Sequence, residues 1–505
     1  MLSLAVRNTK KLVRSQVKEK NVRLGRFFTK KEQAALMASM PTLPQKTAVT
    51  VLDPGAGTGI LSAAMVEELA KGGTVEEIAL TCYETNAGFL PMLRDNLERI
   101  RKKCYHDYKV RLHVTVKEED FLLARGPMKP DDGQVSLLAT PSYDLILSNP
   151  PRELLPPDAP AMALSRRLCS GETDACYLFA AAVSSLLAPG GQAVLLLPVV
   201  FASGAYLEKI RRYLFAHAAL RRVHLFVNRP QSDRLPEEAR KNCILLLENT
   251  EGQRPATVRM TTSFGESCEV ATDLSLPYEE AVREEDASLL LLKSEEEARV
   301  LEVVSRFPCT LSSLGLRMKT GLTIESRHPE LLRDTREGDA VPLIHPNSIQ
   351  LGQVSFPHPA VKNQYILQTV PSLLQKNKNM LFIKRVPAKS DKKALFCGAY
   401  LASQIPYARY ISTHNKLNYI DYADDREMDF NTVYGLYVVL NSSLYGKYYG
   451  IISKSKQINT SAFANLPLPS LAALRNMGSQ LAMTRVFSER TCDALLAAQM
   501  RSGNL

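Results

Sequence analysis

Short apolar runs alternate with amphipathic stretches through the first half of the chain. The apolar runs predict β-strands at residues 47–52, 78–83, 111–116, 143–147, 192–198, 222–227 and 243–247. Between them, apolar side chains recur at helical spacing, for example from Phe89 to Ile100 and from Tyr177 to Leu187, where Pro189-Gly190-Gly191 is expected to end the helix. This alternation predicts an α/β fold with a doubly wound, mostly parallel sheet.

The pattern of apolar and polar residues changes after residue 286. Short apolar runs there are mixed with Pro, Asn and Lys, which is typical of a mixed α+β domain. We therefore place a domain boundary near residue 290, giving domains 1–290 and 291–505. Tyr445, Tyr448 and Tyr449 lie at helical spacing in the second domain, which favours core packing over a base-stacking surface.

Composition narrows the class of protein. The 505 residues carry a formal net charge of +11, spread along the chain, which suits a polyanionic partner. The nine cysteines contain no Cys-x-x-Cys pair, which favours reduced thiols in the cytosol and no metal site. No stretch approaches the roughly 18 apolar residues of a membrane-spanning helix, so no membrane association is expected.

A glycine-rich loop follows the first predicted strand. It reads Asp53-Pro54-Gly55-Ala56-Gly57-Thr58-Gly59 and leads into a helix at Ile60, and Glu84 follows the next strand. Such a loop aims helix N-terminal amides at a ligand, while an acidic residue at the position of Glu84 binds ribose hydroxyls. The glycine spacing departs from the dinucleotide pattern, and Asp53 suits a cationic, amino-acid-bearing ligand. A tight turn without a ligand is the alternative.

A second motif, Ser148-Asn149-Pro150-Pro151, follows the predicted strand 143–147. As a bare turn, Asn-Pro-Pro is common. At the end of a fourth strand, however, it resembles the catalytic motif of amino-methyltransferases. The resemblance implies that the Asn149 side chain and the Pro150 carbonyl accept hydrogen bonds from the target amine, while Pro151 fixes the backbone because proline donates no hydrogen bond.

The order of further motifs resembles type II restriction-modification DNA adenine-N6 methyltransferases whose cofactor motif comes first. Residues 24–29, with Phe27 and Thr29, resemble the segment that closes over the methionine part of S-adenosylmethionine. Asp120 is implied to hold the adenine amine of this cofactor, and Phe121 to stack on it. By themselves, Asp120 and Phe121 are as typical of a helix cap beside a core aromatic.

The same resemblance extends into the second domain and implies a target-recognition domain that binds double-stranded DNA. The segments that carry it are Thr320-Gly321-Leu322 with Arg327, Val341-Pro342-Leu343-Ile344, Ile383-Lys384-Arg385, Asn415-Lys416-Leu417-Asn418 and Leu440-Asn441-Ser442-Ser443. We expect Lys384, Arg385, Lys454 and Lys456 to contact DNA, although such runs are often only solvated faces. Phosphate contacts would make binding fall steeply with salt.

The resemblance also implies a bacterial, nucleoid-associated protein that is a monomer or weak dimer and has a cognate restriction endonuclease. Two departures stand out. Arg152 replaces the usual Tyr or Phe after Asn-Pro-Pro, and residues 228–241 lack the aromatic that stacks on a flipped base. Arginine can stack through its flat guanidinium, or it can point into solvent.

These departures keep two alternatives open. The first is a catalytically silent homologue that binds cofactor and DNA, and the second is an RNA or protein amino-methyltransferase. The second would share both motifs, but it has little need of a C-terminal domain that resembles DNA readers.

Overall fold

The computed structural model describes residues 1–16, 28–125, 142–164, 168, 173–227, 242–264, 268–359, 361–386, 395–453, 458 and 460–503. The chain divides into two compact units, Met1–Glu295 and Glu296–Leu505. The domain boundary predicted near residue 290 lies close to this division. No helix in these ranges is long and apolar enough to cross a membrane.

A nine-stranded sheet forms the centre of the first unit, as far as it is described. Its strands are β1 (Ala48–Pro54), β2 (Glu77–Tyr83), β3 (Arg111–Lys117), β4 (Tyr143–Ser148), β7 (Leu187–Pro198), β8 (Ala219–Val227), β9 (Asn242–Glu248), β10 (Thr257–Phe264) and β11 (Val270–Pro277). The short strands β5 (Leu154–Leu155) and β6 (Thr173–Asp174) pair separately. All seven predicted strands therefore exist, and β10 and β11 were not predicted.

The strand order is β11-β10-β8-β9-β7-β4-β1-β2-β3. Strands β3, β2, β1, β4 and β7 are parallel to one another, whereas β9 runs antiparallel to β7 and β8. This confirms the predicted α/β fold with a mostly parallel sheet. The chain winds outward in both directions from β1 and β4, so the crevice outside the carboxyl ends of these two strands is where such folds bind ligands.

Helices cover both faces of this sheet. They are α1 (Leu2–Gln16), α2 (Lys31–Ser39), α3 (Ile60–Lys71), α4 (Leu90–Tyr108), α5 (Phe121–Arg125), α6 (Pro160–Leu164), α7 (Ala175–Ser184), α8 (Glu208–His217) and α9 (Tyr278–Ala281). Helix α4 is amphipathic: Leu93, Leu97 and Ile100 join the main core, while its outer face carries ion pairs such as Arg99 with Asp95. Every residue of α7 is buried.

The prediction that Pro189-Gly190-Gly191 ends helix α7 is wrong, because the helix ends at Ser184. The three residues lie inside β7. Gly190 and Gly191 exchange backbone hydrogen bonds with Asn249, at 2.8 and 2.9 Å. A Cβ on Gly191 would lie 2.6 Å from the Tyr143 carbonyl oxygen, so the glycine is needed for close strand contact rather than for helix termination.

Arg211, on α8, is fully buried and joins three segments of the first unit. Its guanidinium donates to four backbone carbonyl oxygens, those of Phe201 (3.1 Å), Gly204 (2.8 Å), Asp286 (3.0 Å) and Ala287 (3.1 Å). Burial lowers the pKa of Arg211. The side chain thus satisfies buried carbonyl groups that have left regular secondary structure.

The second unit is a mixed α+β domain. Its described strands are β12 (Cys309–Thr310), β13 (Leu316–Thr320), β14 (Leu332–Arg333), β15 (Val341–Ile344), β16 (Ile349–Gln350), β17 (Gln353–Val354), β18 (Tyr365–Ile366), β19 (Leu374–Lys376), β20 (Met380–Lys384), β21 (Cys397–Tyr400), β22 (Tyr410–Thr413), β23 (Leu417–Tyr422) and β24 (Pro467–Leu468). They form a six-stranded sheet (β13-β23-β20-β21-β17-β16), a five-stranded sheet (β14-β18-β15-β22-β19) and the pair β12-β24.

The helices of the second half are α10 (Glu295–Ser305), α11 (Phe430–Asn441), α12 (Ser443–Ile452), α13 (Thr460–Ala464), α14 (Leu471–Thr484) and α15 (Glu489–Arg501). Helices α11 and α14 touch backbone to backbone. A Cβ on Gly435 would overlap the Leu474 carbonyl, and a Cβ on Gly478 would overlap that of Asn431. Tyr445, Tyr448 and Tyr449 are buried on α12, which confirms the prediction of core packing.

Candidate active site

The glycine-rich loop lies at the carboxyl end of β1, in the crevice beside β4. Gly55 and Gly57 adopt φ angles of 116° and 57°, which residues with a Cβ atom rarely adopt. A Cβ on Gly55 would lie 3.7 Å from both Pro151 Cδ and Phe179 Cε1. The loop therefore lies directly against the Asn-Pro-Pro segment.

Glu84 holds this loop from the end of β2. One carboxylate oxygen accepts a hydrogen bond from Gly57 N–H at 2.7 Å, and the other accepts from Asn86 N–H at 2.7 Å. The side chain is half-buried. This is the position from which an acidic residue binds the ribose of a nucleoside cofactor, so the arrangement fits such a group.

Asp53 is buried beneath the loop. Its Oδ2 accepts hydrogen bonds from the backbone N–H and hydroxyl of Ser62, at 3.1 and 2.6 Å, whereas its buried Oδ1 has no partner among the described residues. Burial raises the pKa of Asp53 to about 7. An unpaired buried carboxylate oxygen of this kind fits a cationic group, such as the ammonium of an amino-acid-bearing cofactor.

This raised pKa predicts how stability depends on pH in the absence of ligand. An acid whose pKa is higher in the folded than in the unfolded state stabilises the fold below its unfolded pKa of 3.8, and this contribution is lost as pH rises to about 7. Asp53→Asn removes that dependence. Between pH 5 and 7, urea unfolding should show the natural chain losing roughly 2 kcal/mol more than the variant. Parallel pH curves for the two proteins would contradict the burial argument.

Asp120 and Phe121 lie at the start of α5. Asp120 Oδ1 caps this helix by accepting from Leu122 N–H at 2.8 Å and Leu123 N–H at 3.1 Å. Phe121 is buried, and its ring packs at 5.3 Å from that of Tyr83 and 5.0 Å from that of Phe179. Both residues thus have the local role of cap and core aromatic, and their cofactor contacts stay predictions.

Asn149 leaves the carboxyl end of β4 and is half-buried. Its Nδ2 donates to the hydroxyl of buried Thr29 at 3.1 Å. This contact brings together two residues that the sequence predicted to share a site, although they are 120 positions apart. The contact also sets the orientation of the Asn149 amide. The nitrogen Nδ2 faces Thr29, and the acceptor oxygen Oδ1 faces away from it. Pro150 is buried and Pro151 is exposed.

Two aromatic residues of this site were not predicted. A Cβ on Gly57 would lie 3.6 Å from the Phe28 ring, which packs on Phe89 with ring centroids 5.2 Å apart. Phe179 lies against Gly55. The segment 24–29 contains two adjacent phenylalanines. The cofactor contact predicted from the sequence is Phe27, which lies outside the described residues. Phe179 lies in an apolar helix, and the sequence pattern alone does not distinguish it from the rest of the core.

Arg152 is half-buried. Its positive charge lowers the pKa values of Cys176 and Cys243, although burial dominates and raises both. The guanidinium therefore lies near the start of α7 and the start of β9, at the same edge of the sheet as Asn149.

Three of the segments singled out in the second unit meet at one end of its six-stranded sheet. Gly321 N–H donates to the Leu417 carbonyl, and Arg385 N–H donates to the Lys416 carbonyl, both at 2.9 Å. Ile458 N–H donates to the Arg385 carbonyl, also at 2.9 Å. Lys416 is exposed and Arg385 is half-buried. This end of the sheet, which we call the converging edge, thus carries residues 320–322, 383–385 and 415–418.

The predicted DNA contacts are only partly described. Lys384 is half-buried, and its ammonium lies 4.1 Å from the centre of the Phe396 ring, a cation–π contact that competes with phosphate for the charge. Arg385 lies at the converging edge. Lys454 and Lys456 are outside the described residues.

Glu325, His345 and His414 place possible metal-ligand atoms within 4.8 Å of one another. His414 Nδ1, however, accepts a hydrogen bond from Lys416 N–H at 3.0 Å, so its Nε2 carries the proton and faces Glu325 at 3.5 Å. Metal-bound imidazoles donate through their second nitrogen rather than accept. Burial lowers the pKa values of both histidines. We therefore interpret the three residues as a hydrogen-bonded cluster.

Comparisons with known proteins extend these observations. No family model matches the chain. The chain is 25% identical over 469 residues to the type II methyltransferase M.PstI of Providencia stuartii, covering 91% of this chain and 89% of that protein. It is 24% identical over 460 residues to M.BsuBI of Bacillus subtilis, covering 90% and 89%.

Two solved structures are also similar. The type IIL restriction-modification enzyme MmeI in complex with DNA is 10% identical, with a TM-score of 0.44, covering 97% of this chain and 73% of MmeI. The M protein of the type I restriction enzyme EcoKI is 16% identical, with a TM-score of 0.32, covering 53% and 56%.

The sheet order, the glycine loop and the Asn-Pro-Pro segment define the class: the first unit is an S-adenosylmethionine-dependent methyltransferase. The likeness to two type II methyltransferases along nine-tenths of the chain supports a DNA methyltransferase of a restriction-modification system.

Proposed function

We propose that this methyltransferase modifies the N6 amine of adenine at a specific site in double-stranded DNA, after rotating the base out of the helix. The observation that carries the proposal is the contact of Asn149 with Thr29 beside the glycine loop, because it orients an amide at the carboxyl edge of β4. We assign methyl transfer to residues 1–290 and DNA recognition to residues 291–505.

The first unit supplies positioning rather than a strong base. S-adenosylmethionine provides an electrophilic methyl group on a sulfonium. Asp53, Gly55, Gly57, Glu84, Asp120 and Phe121 would hold this cofactor, together with Phe27 and Thr29. The Asn149 amide oxygen and the Pro150 carbonyl accept hydrogen bonds from the target amine. These two acceptors would localise the lone pair of that amine and orient it toward the cofactor's methyl group, and Pro151 would fix the turn.

In the second unit, the converging edge supports the DNA assignment. Backbone hydrogen bonds hold exposed Lys416 and half-buried Arg385 next to each other there. Basic side chains on a rigid framework suit phosphate contacts, which fix the register of a protein on the duplex. Such an enzyme would act as a monomer or weak dimer on chromosomal DNA, and a cognate restriction endonuclease would cut the same site when it is unmodified.

Base identification tests the reaction. The chain is incubated with labelled S-adenosylmethionine and mixed-sequence genomic DNA, and the DNA is then digested to nucleosides. Label in N6-methyladenine is the expected result. Label in a methylated cytosine would refute the adenine assignment while leaving a DNA methyltransferase, and label in RNA or protein alone would favour the other class of amino-methyltransferase.

Arg152 gives a second candidate function some support. This half-buried arginine lies where an aromatic is usual, which suits a silent homologue that binds cofactor and DNA. Cofactor binding without a product on any DNA would select this alternative.

We expect Arg152→Tyr to raise the rate of methyl transfer roughly threefold or more, because an aromatic wall recovers part of the stacking lost by a flipped base. Cofactor affinity should not change. Single-turnover transfer to duplex DNA measures the effect, with Arg152→Ala as the matched control that removes the side chain. No gain in the tyrosine variant would count against a base-facing position for residue 152.

A further inference from the structure

A buried hydrogen-bond network joins helix α1, the glycine loop and helix α4. At its centre is Asn96, which is completely buried on α4. Its Nδ2 donates to the Thr58 carbonyl at 2.8 Å, and its Oδ1 accepts from Asn8 Nδ2 at 2.8 Å. Thr58 and Thr9 are also linked through their hydroxyls at 2.7 Å. Three segments distant in sequence thus meet behind the loop.

The direction of these bonds follows from their partners. The Thr9 hydroxyl donates to the Ala5 carbonyl at 2.8 Å, so the Thr58 hydroxyl must be the donor to Thr9. The Asn96 amide nitrogen must face the Thr58 carbonyl, because an oxygen there would repel it. The hydroxyl of Thr58 is therefore satisfied by α1, and its carbonyl by α4.

Thr58 lies between the two glycines that shape the front of the loop. Gly57 N–H donates to Glu84 at 2.7 Å, and Gly59, with a φ of 84°, begins α3. Moving the Thr58 carbonyl would rotate the peptide plane between Thr58 and Gly59 and change the backbone dihedral angles of the residues beside it. The network behind the loop thus sets the backbone that faces the cofactor in front.

We propose that Asn96 is a positioning residue for the S-adenosylmethionine site, and that α1 is part of that site through Asn8 and Thr9. This inference depends on S-adenosylmethionine binding to the first unit and does not depend on the proposed methylation of adenine. Asn96 acts through Thr58 and need not touch the cofactor. A buried amide with two satisfied partners is suited to this role, because losing it leaves buried polar groups unpaired unless the loop shifts.

Cofactor binding without DNA tests the proposal. Asn96→Leu keeps the branched shape of the side chain but removes both hydrogen bonds. Isothermal titration should show its dissociation constant for S-adenosylmethionine raised about tenfold, equivalent to about 1.4 kcal/mol. Thr9→Val, which removes only one hydroxyl, should raise it about threefold. In steady-state assays, KM for the cofactor should rise while kcat at saturating cofactor stays within about twofold of the natural chain.

Ile100→Ala is the matched control, because Ile100 is buried on the same helix but belongs to the apolar core and not to the network. It should lower the melting temperature and leave the dissociation constant unchanged. Hydrogen exchange adds a second readout: cofactor should slow amide exchange in α1 of the natural chain, and less so in Asn96→Leu.

An Asn96→Leu protein that melts early but binds cofactor normally would overturn the proposal, as would unchanged exchange in α1. If Asn96→Leu fails to fold, Thr9→Val tests the proposal instead. A normal dissociation constant of that variant for S-adenosylmethionine would overturn the proposal. If the natural chain binds no cofactor, the proposal fails together with the cofactor assignment. If it binds cofactor but makes no N6-methyladenine, only the proposed reaction fails.

Discussion

Asn149→Ala should lower methyl transfer to DNA by roughly 10²–10³-fold, because it removes an oriented hydrogen-bond acceptor from the amine that develops positive charge. The amide is held at the end of β4 by its contact with Thr29, so its orientation does not have to be established during the reaction. Labelled methyl transfer under single-turnover conditions measures the loss. S-adenosylmethionine binding should change by less than about threefold, since the cofactor is assigned to other residues.

Thr29→Val is a second variant for this result, measured at saturating S-adenosylmethionine because Thr29 is also assigned to the cofactor. It keeps Asn149 and its oxygen but removes the hydroxyl that accepts from Nδ2. We expect an intermediate loss of roughly tenfold in the transfer rate. An Asn149→Ala enzyme with nearly full activity would remove Asn149 from the reaction, and it would leave the Asn-Pro-Pro segment as a structural turn.

Arg211→Met should destabilise the protein by roughly 3–5 kcal/mol, the largest stability effect expected of any single change considered above. Methionine fills similar space but donates nothing to the carbonyls of Phe201, Gly204, Asp286 and Ala287, of which the first and last are buried and the other two partly buried. The midpoint of thermal unfolding should fall by roughly 10 °C, as followed by calorimetry.

Arg212→Met tests whether burial is the cause. Arg212 is the next residue on α8 and also donates to backbone carbonyls, but its side chain is 48% exposed. Water can replace its contacts, so we expect a loss under about 1 kcal/mol. Equal losses in the two variants would mean that the buried carbonyls of the Arg211 cluster find other partners.

The central strands were predictable because their chemistry is local. Strands β4 and β9 contain continuous apolar runs, 145–147 and 243–247, as expected of strands buried on both faces, whereas β2 alternates between buried and more exposed residues. Strands β10 and β11 were missed because their pattern is polar. Thr261 and Ser263 are nevertheless buried on β10, where His224 of β8 bonds both hydroxyls at 2.9 and 3.0 Å. Only pairing across strands makes such residues suitable for a core.

The candidate site was predictable where its residues form short motifs. Asp53, Gly55, Gly57 and Glu84 follow strand ends, and parallel strands bring such ends to one edge. The network around Asn96 was not predictable, because an Asn on the buried face of a helix looks like an interruption of the apolar pattern. Its partners Asn8 and Thr58 are 88 and 38 residues away, and only the folded chain brings them together.

The backbone contact between α11 and α14 bears on how DNA specificity could diverge. Gly435 and Gly478 leave no room for any side chain between the two helices, so this crossing is fixed by the main chain itself. Leu322 and Lys416, by contrast, are exposed in connections at the end of a sheet, where exchange of side chains disturbs little packing. A library for altered recognition should therefore hold both glycines constant and vary the connections. New target sequences could evolve in the same way, by substitutions in the exposed connections while the contact between the two helices is kept.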